Sequence, residues 1–252
     1  MLPYKDDNLQ LIRPYTTYTI ILLNLIAWIS FQGAGSSEIV GAAICSYGAI
    51  PTEVIGAVGD KQICENNAGP ITLLTSMFLH GSWMHILGNL LFLWVFGGNV
   101  EDAMGPSRFA VFYLLSGLSA AIAQILWDPN SSIPMVGASG AIGGVMGAYL
   151  LLYPRVKVHI FAFFVLAFPV RVPAYLMLGY WLLLQVIGGL GANSMTGGTA
   201  FCAHVGGFIA GTFFGYLLKD DELLTGHVYY GWKERAAPER VWDERHNRHH
   251  NK

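Results

Sequence analysis

Charged residues are scarce in this chain. They make up 12% of its 252 residues, about half the share that a soluble domain uses to solvate its surface. Hydrophobic residues account for 54%, and the mean hydropathy is positive at +0.47. Lipid is therefore the expected solvent for most of the chain. The net charge of −2 gives no basis for nucleic-acid binding.

Cysteine is scarce as well. Three cysteines cannot build a disulfide framework, and no Cys-x-x-Cys pair indicates a metal or redox site. Cys202 lies in an apolar run, which favours a buried thiol. Cys45 and Cys64 share one hydrophilic loop, so their pairing depends on whether that loop faces an oxidising compartment.

The chain contains six long apolar runs. Each has about 17–25 residues, enough to cross roughly 30 Å of hydrocarbon as a helix. Backbone groups in lipid must be satisfied internally, which favours helices over open strands. The short apolar stretch 158–168 precedes the fifth run and is predicted to be interfacial, or else re-entrant. The six runs are residues 15–31, 73–97, 109–127, 136–153, 174–190 and 200–218.

These runs predict an all-α polytopic membrane protein. Residues 1–14 form an N-terminal segment, 15–218 a six-helix membrane domain with a long outer loop at 32–70, and 219–252 a polar tail. Six spans place both termini on one side, together with every lysine and arginine except Lys61. The positive-inside rule makes that side cytoplasmic. The polar start favours a retained first span over a cleaved signal, and the lack of organelle-targeting features favours a plasma membrane.

Polar side chains inside the second run indicate a site, because such groups are costly in lipid. His85 and Asn89 are four residues apart and share a helical face, with His80 slightly more than one turn earlier. Interhelical hydrogen bonding would explain one such residue, but less readily three. Haem or metal ligation is another interpretation, which the five-residue spacing of the histidines and the absence of a nearby carboxylate disfavour.

Ser139 opens the fourth run within Gly-Ala-Ser-Gly. The free backbone N–H groups at a helix N-terminus suit an oxyanion. Small residues four apart let two helix backbones approach closely. Such stripes comprise Ser139, Gly143 and Gly147, and also Gly140 and Gly144.

The sixth run has a matching stripe, Ala203, Gly207, Gly211 and Gly215, with His204 on nearly the same face. Packing of the two stripes would bring His204 against Ser139. A serine hydroxyl needs a neighbouring base to become a good nucleophile, and no aspartate lies within the six runs, so the pair would be a dyad. The alternative is that the stripes only pack and that His204 is a satisfied polar residue.

Together these residues resemble the rhomboid family of intramembrane serine proteases. The segment 97–105 also resembles the turn that follows the family's second span. The resemblance covers about residues 70–218. Its motifs are His80-x4-His85-x3-Asn89, Gly137-Ala-Ser139-Gly140 and Ala203-His204-x2-Gly207-x3-Gly211.

The resemblance implies a six-helix bundle and an endopeptidase that needs no cofactor or metal. Ser139 would be the nucleophile and His204 the general base. The Ser139 amide, Asn89 and His85 would form the oxyanion hole, and His80 would organise the second span and the water supply. Substrates would be single-pass or other membrane-anchored proteins in the bilayer, with the fifth run and the loop 191–199 as gate and cap.

Two positions depart from the family's pattern. Ile71-Thr72 stands where many members have Trp-Arg in the first outer loop, which leaves the anchoring of that loop open. Gly143 stands where some members stack a tyrosine on the histidine, so something else must hold the His204 ring.

Other functions remain as alternatives. A catalytically weak relative that binds membrane proteins or serves quality control would share these motifs. A transporter or channel would favour carboxylates within spans or inverted repeats of broken helices, which the sequence lacks. A structural subunit leaves the combination of Ser139, His204 and Asn89 unexplained.

Overall fold

The computed structural model describes residues 2–57, 64, 66–163, 167–191, 200–225 and 227–232. Lys61, most of the predicted cap (192–199) and the tail from residue 233 onward lie outside the described residues. The helices are α1 (Tyr15–Ile26, continued by a π turn, Ala27–Phe31), α2 (Ser37–Tyr47), α3 (Pro51–Val54), α4 (Thr72–Thr75), α5 (Trp83–Met104), α6 (Pro106–Trp127), α7 (Ser139–Leu152), α8 (Ala174–Gly191), α9 (Phe201–Leu218) and α10 (Asp221–Leu224).

Three of the described helices, α5, α6 and α9, are long and apolar enough to cross a membrane. Four shorter apolar helical segments accompany them: Tyr15–Phe31, Gly69–Phe78, Ser139–Leu152 and Ala174–Leu190. The chain is therefore a mostly helical membrane protein. Long apolar side chains such as Leu87, Leu126 and Ile209 stay exposed on the outer surface of the bundle, as expected of helices that face lipid.

The centre of the bundle is the pair α7 and α9, which α6 also contacts. Glycine brings the two backbones together: a Cβ added at Gly207 would overlap the carbonyl oxygen of Gly140, and one at Gly211 would overlap the backbone of Gly144. At Gly143 an added Cβ would lie 3.0 Å from the carbonyl oxygen of His204. Close backbone approach compensates for the weak driving force between helices in lipid.

The prediction of an all-α chain is wrong in one region. Leu2–Asp6, Lys157–Phe163 and Ala167–Pro173 form β1, β2 and β3, an antiparallel sheet in the order β1-β2-β3. The short apolar stretch predicted as interfacial is thus a hairpin, in which Val158 pairs with Val172 and Phe161 with Pro169. Strand pairing satisfies the backbone groups that the prolines would leave open in a helix.

The second helix also differs from its predicted bounds. α5 begins at Trp83 because Ser82 caps it, its Oγ accepting the His85 N–H at 3.2 Å. His80 therefore precedes the helix instead of lying on it. At the other end α5 continues to Met104, and only Gly105, with φ of +80°, forms the turn that was predicted over 97–105.

Two acidic residues near the end of α5 anchor the N-terminal segment. The Glu101 carboxylate accepts the backbone N–H groups of Thr16 and Thr17 at 2.9 and 2.8 Å. These donors belong to the first turn of α1 and have no partner within that helix. Asp102 Oδ1 accepts in the same way from Leu11 and Ile12, at 3.0 and 2.7 Å. A carboxylate at a helix N-terminus also interacts favourably with the helix dipole.

The outer loop is partly helical and is closed covalently. α2 and α3 lie within it, and Cys45 and Cys64 form a disulfide with their Cα atoms 5.4 Å apart. The pairing that the sequence left open is thus made in the structure. The Glu53 carboxylate accepts the Cys64 N–H at 3.0 Å, which fixes the second half of the loop to α3.

Stability should depend on the protonation of Asp6 in β1. Its carboxylate accepts from Tyr149 Oη at 2.5 Å and from Asn99 Nδ2 at 2.8 Å. Burial raises the pKa of Asp6 from 3.8 to about 6, helped by the neighbouring Asp7. Because the folded pKa lies above the unfolded one, this stabilisation is complete below pH 3.8 and is lost as the pH rises through about 6. We expect a decrease of up to about 3 kcal/mol in the free energy of unfolding.

Thermal unfolding in detergent between pH 4 and pH 7 measures this effect. Asp6→Asn keeps an acceptor for the Tyr149 hydroxyl but cannot ionise, so its unfolding midpoint should change less with pH than that of the wild type. An identical pH dependence in the two proteins would show that folding does not raise the pKa of Asp6.

Candidate active site

Ser139 is the first residue of α7 and is half-buried. The chain reaches it through Gly137, whose φ of +123° is strained for any residue with a Cβ. An added Cβ at Gly137 would lie 2.7 Å from His85 Nε2 and 3.5 Å from Asn89 Nδ2. The approach to Ser139 therefore runs directly against these two side chains, and only glycine fits both the backbone angle and the space.

His204 contacts Ser139 across the α7–α9 interface. Its Nε2 lies 2.7 Å from Ser139 Oγ, a hydrogen-bond distance. His204 is 9% exposed, so the base is largely withdrawn from solvent. This distance follows from the glycine contacts between the two helices, because a bulkier residue at Gly143 would meet the backbone of His204 itself.

α8 supplies the groups that hold the His204 ring. Gln185 Oε1 lies 2.7 Å from His204 Nδ1, and the Trp181 ring packs against the imidazole with ring centroids 5.8 Å apart. Gln185 and Trp181 thus contact the His204 ring, which has only a glycine, Gly143, where a tyrosine could have stacked on it. The sequence interpretation missed both, although Gln185 is a polar residue within an apolar run and so carried the same signal as Asn89.

Asn89 and His80 form a second buried pair, and Asn89 lies next to Gly137. Asn89 Nδ2 lies 2.9 Å from His80 Nε2 and donates to it. The rings of His80 and His85 meet edge to face, with centroids 5.1 Å apart. His85 Nδ1 accepts the Gly81 N–H at 3.4 Å, which leaves the Nε2 proton of a neutral His85 directed towards Gly137. The structure thus brings together all five predicted polar residues.

Gln32 links the outer loop to this pair. Its side-chain amide donates to the His80 carbonyl oxygen at 2.7 Å and accepts the His80 N–H at 2.9 Å. Gln32 is fully buried. At the first departure from the family's pattern, Ile71-Thr72, the Thr72 hydroxyl donates to the Gly69 carbonyl oxygen at 2.6 Å, while Ile71 is exposed. Gln32 therefore anchors the loop, and sequence reasoning did not find it.

In the described part of the chain, no three His, Cys, Asp or Glu side chains lie close enough together to bind a metal ion. The arrangement of the site instead offers a hydroxyl, a base positioned to accept its proton, and amide and imidazole donors nearby. Such a set suits nucleophilic acyl transfer.

Fold and site define a helical membrane protein with a serine–histidine pair between two glycine-packed helices. The family model of the rhomboid domain matches residues 67–220, more than half of the chain. The chain belongs to the rhomboid family, which confirms the resemblance.

The chain is similar to several proteins from other organisms. Rhomboid protease GluP of Bacillus subtilis is 30% identical over 236 residues, which cover 87% of this chain and 41% of GluP. Rhomboid protein 1, mitochondrial, of Saccharomyces cerevisiae is 29% identical over 154 residues, 59% of this chain and 42% of that protein. Inactive RHOMBOID-like protein 8 of Arabidopsis thaliana is 30% identical over 129 residues, 50% of this chain and 34% of that protein. The chain spans less than half the length of each.

Proposed function

We propose that the chain is an intramembrane serine endopeptidase that cleaves membrane-anchored proteins. The observation that carries the proposal is the 2.7 Å hydrogen bond between Ser139 Oγ and His204 Nε2. Membership of the rhomboid family, which includes proteases such as GluP, supports it. The family also includes a relative named inactive, so activity has to be tested on this chain itself.

In the proposed reaction, His204 Nε2 takes the Ser139 proton as Oγ attacks the scissile carbonyl carbon. The resulting imidazolium then protonates the leaving amine, and an acyl-enzyme remains on Ser139. Water, deprotonated by His204, then attacks the ester carbonyl; the imidazolium returns the proton to Ser139 Oγ as the C–O bond breaks, and the second product leaves as a carboxylic acid. The same base thus serves both halves of the reaction.

Three donors are proposed to stabilise the oxyanion. They are the Ser139 N–H at the start of α7, the Asn89 side-chain amide and the Nε2–H of His85. The N-terminal N–H groups of α7 have no partner within the helix and interact favourably with negative charge. Asn89 and His85 flank Gly137, two residues before the nucleophile. We assign His80 the role of orienting Asn89, through the 2.9 Å contact between them.

Substrate is proposed to enter from the lipid beside α8. One side of this helix faces outward, with Leu183, Leu184 and Ile187 about half exposed. Gln185, on the opposite side, reaches the active site. A helix that separates lipid from the active site in this way can act as a gate. Of the proposed cap, residues 191–199, all but the first residue lie outside the described residues.

A multi-pass location in the cell membrane, with six spans and both termini cytoplasmic, is part of the proposal. A contact between the two terminal segments supports it: His227 Nε2, in the C-terminal segment, lies 3.0 Å from the carbonyl oxygen of Leu9, in the N-terminal segment. An even number of spans would bring them to one face. The Cys45–Cys64 disulfide lies in the loop assigned to the opposite, oxidising side.

Covalent labelling tests the proposed nucleophile. A fluorophosphonate probe should modify the detergent-purified protein, and peptide mass spectrometry should locate the adduct on Ser139, because a serine reacts with such probes only when a base activates it. Ser131→Ala is the matched control: it removes a hydroxyl from the loop before α7 and should label like the wild type. Absence of an adduct on Ser139 would instead favour the alternative of a membrane-protein binding factor.

A further inference from the structure

Gln185 is a buried amide whose orientation the structure determines. It is 8% exposed, and its Nε2 donates to the Trp181 carbonyl oxygen at 3.2 Å. A backbone carbonyl only accepts hydrogen bonds. The NH₂ group must therefore point to Trp181, and the oxygen, Oε1, must face His204 Nδ1, 2.7 Å away.

An oxygen acceptor at Nδ1 selects one form of the neutral imidazole. The ring carries a single proton, and the hydrogen bond to Gln185 places it on Nδ1. The lone pair is then on Nε2, directed at Ser139 Oγ. The opposite tautomer would present a proton to Ser139 and could not accept the one from its hydroxyl.

We propose that Gln185 is a positioning residue, which holds His204 in its basic tautomer and orientation from α8. This inference rests on the proposed function, since it assigns a role in the same reaction. The amide is neutral, so it orients the ring without supplying the negative charge with which a carboxylate would stabilise the imidazolium.

The location of Gln185 connects the base to the proposed gate. Ser139 and His204 sit on the glycine-packed pair α7 and α9, whereas both groups that hold the ring, Gln185 and Trp181, come from α8. Movement of α8 away from α9 breaks the hydrogen bond to Nδ1. The basic tautomer of His204 is therefore enforced only while α8 is docked.

Two substitutions separate positioning from packing. Gln185→Met keeps the length of the side chain but removes the acceptor, and Gln185→Glu retains an oxygen acceptor. Leu178→Met places the same new side chain at a buried position on α8 and serves as the control. For a model single-span substrate we expect kcat to fall on the order of 10²-fold in Gln185→Met, with KM unchanged. This is less than the roughly 10⁴-fold loss when a wrong tautomer is enforced in a serine protease.

Gln185→Glu should recover most of the lost kcat, and Leu178→Met should match the wild type. In ¹⁵N-histidine NMR spectra, the His204 signals, assigned by their loss in His204→Ala, should report a protonated Nδ1 in the wild type and mixed tautomers in Gln185→Met. A kcat for Gln185→Met equal to that of the wild type, or a glutamate variant as slow as the methionine variant, would overturn the inference. A wild type that neither cleaves nor labels would instead refute the proposed function.

Discussion

Ser139→Ala is expected to abolish cleavage of a single-span substrate reconstituted with the protein in liposomes. The alanine removes the nucleophile but leaves the glycine-packed interface intact. His204→Ala should be nearly as damaging, because it removes the base that lies within hydrogen-bond distance of the Ser139 hydroxyl. Losses for such residues reach about 10⁶-fold in kcat in a soluble serine protease, and residues that act as a unit are far from additive. The double variant should therefore be no slower than Ser139→Ala.

Asn89→Ala provides a graded comparison in the same assay. It removes one proposed oxyanion donor while the Ser139 amide and His85 remain, so kcat should fall by about 10²–10³-fold. Ser131→Ala, which alters a serine outside the site, should leave turnover unchanged. Equal turnover by the wild type and Ser139→Ala would exclude Ser139 as the nucleophile.

Gly211→Ala is expected to impair both folding and cleavage, although Gly211 is two turns from His204 along α9. The new methyl group would overlap the Cα and carbonyl oxygen of Gly144, which are backbone atoms and cannot rotate away. α9 must then move away from α7, and the Ser139–His204 distance increases. Overpacking costs typically about 1–3 kcal/mol, and a misplacement of about 1 Å can lower the rate 10²-fold.

Gly88→Ala is the matched control for this prediction. Gly88 is also a helical glycine, in α5, but an added Cβ would meet no atom of the described residues within 4 Å. The Gly88→Ala protein should unfold at the same temperature as the wild type or at a higher one, since alanine favours a helix by about 1 kcal/mol relative to glycine. Unfolding midpoints in detergent and kcat should be measured for both variants. A Gly211→Ala protein as stable and active as Gly88→Ala would show that the α7–α9 contact does not position the site.

Much of the candidate site could be predicted because its signals are local. A polar residue in an apolar run is conspicuous, which pointed to Asn89, His85 and His204. Glycines four residues apart define a helix face, and two such faces predict which helices meet. The expected approach of His204 to Ser139 follows from that pattern alone, and it agrees with the 2.7 Å distance between them.

The supporting contacts depend on residues far apart in the sequence. Gln32 is 48 residues from His80, and Gln185 is 19 residues from His204. The side-chain amide of a residue in an apolar segment can form hydrogen bonds with any neighbouring backbone or side-chain group. The residue type therefore does not identify its hydrogen-bond partner. The hairpin of β2 and β3 was missed for a related reason. A short apolar run fits an interfacial segment or a strand equally well until a pairing strand is known.

By itself, the sequence determined that most of this chain lies in lipid, which residues could perform acyl transfer, and which two helices bring Ser139 and His204 together. Those conclusions need only composition, helical periodicity and the small size of glycine. Only the tertiary structure decided where α5 begins, that Cys45 and Cys64 pair, and that the His204 ring is held from α8. These outcomes depend on how segments distant in the sequence pack together. The Gln185 amide, for example, can accept a hydrogen bond from any nearby donor, and only the packing of α8 against α9 makes that donor His204.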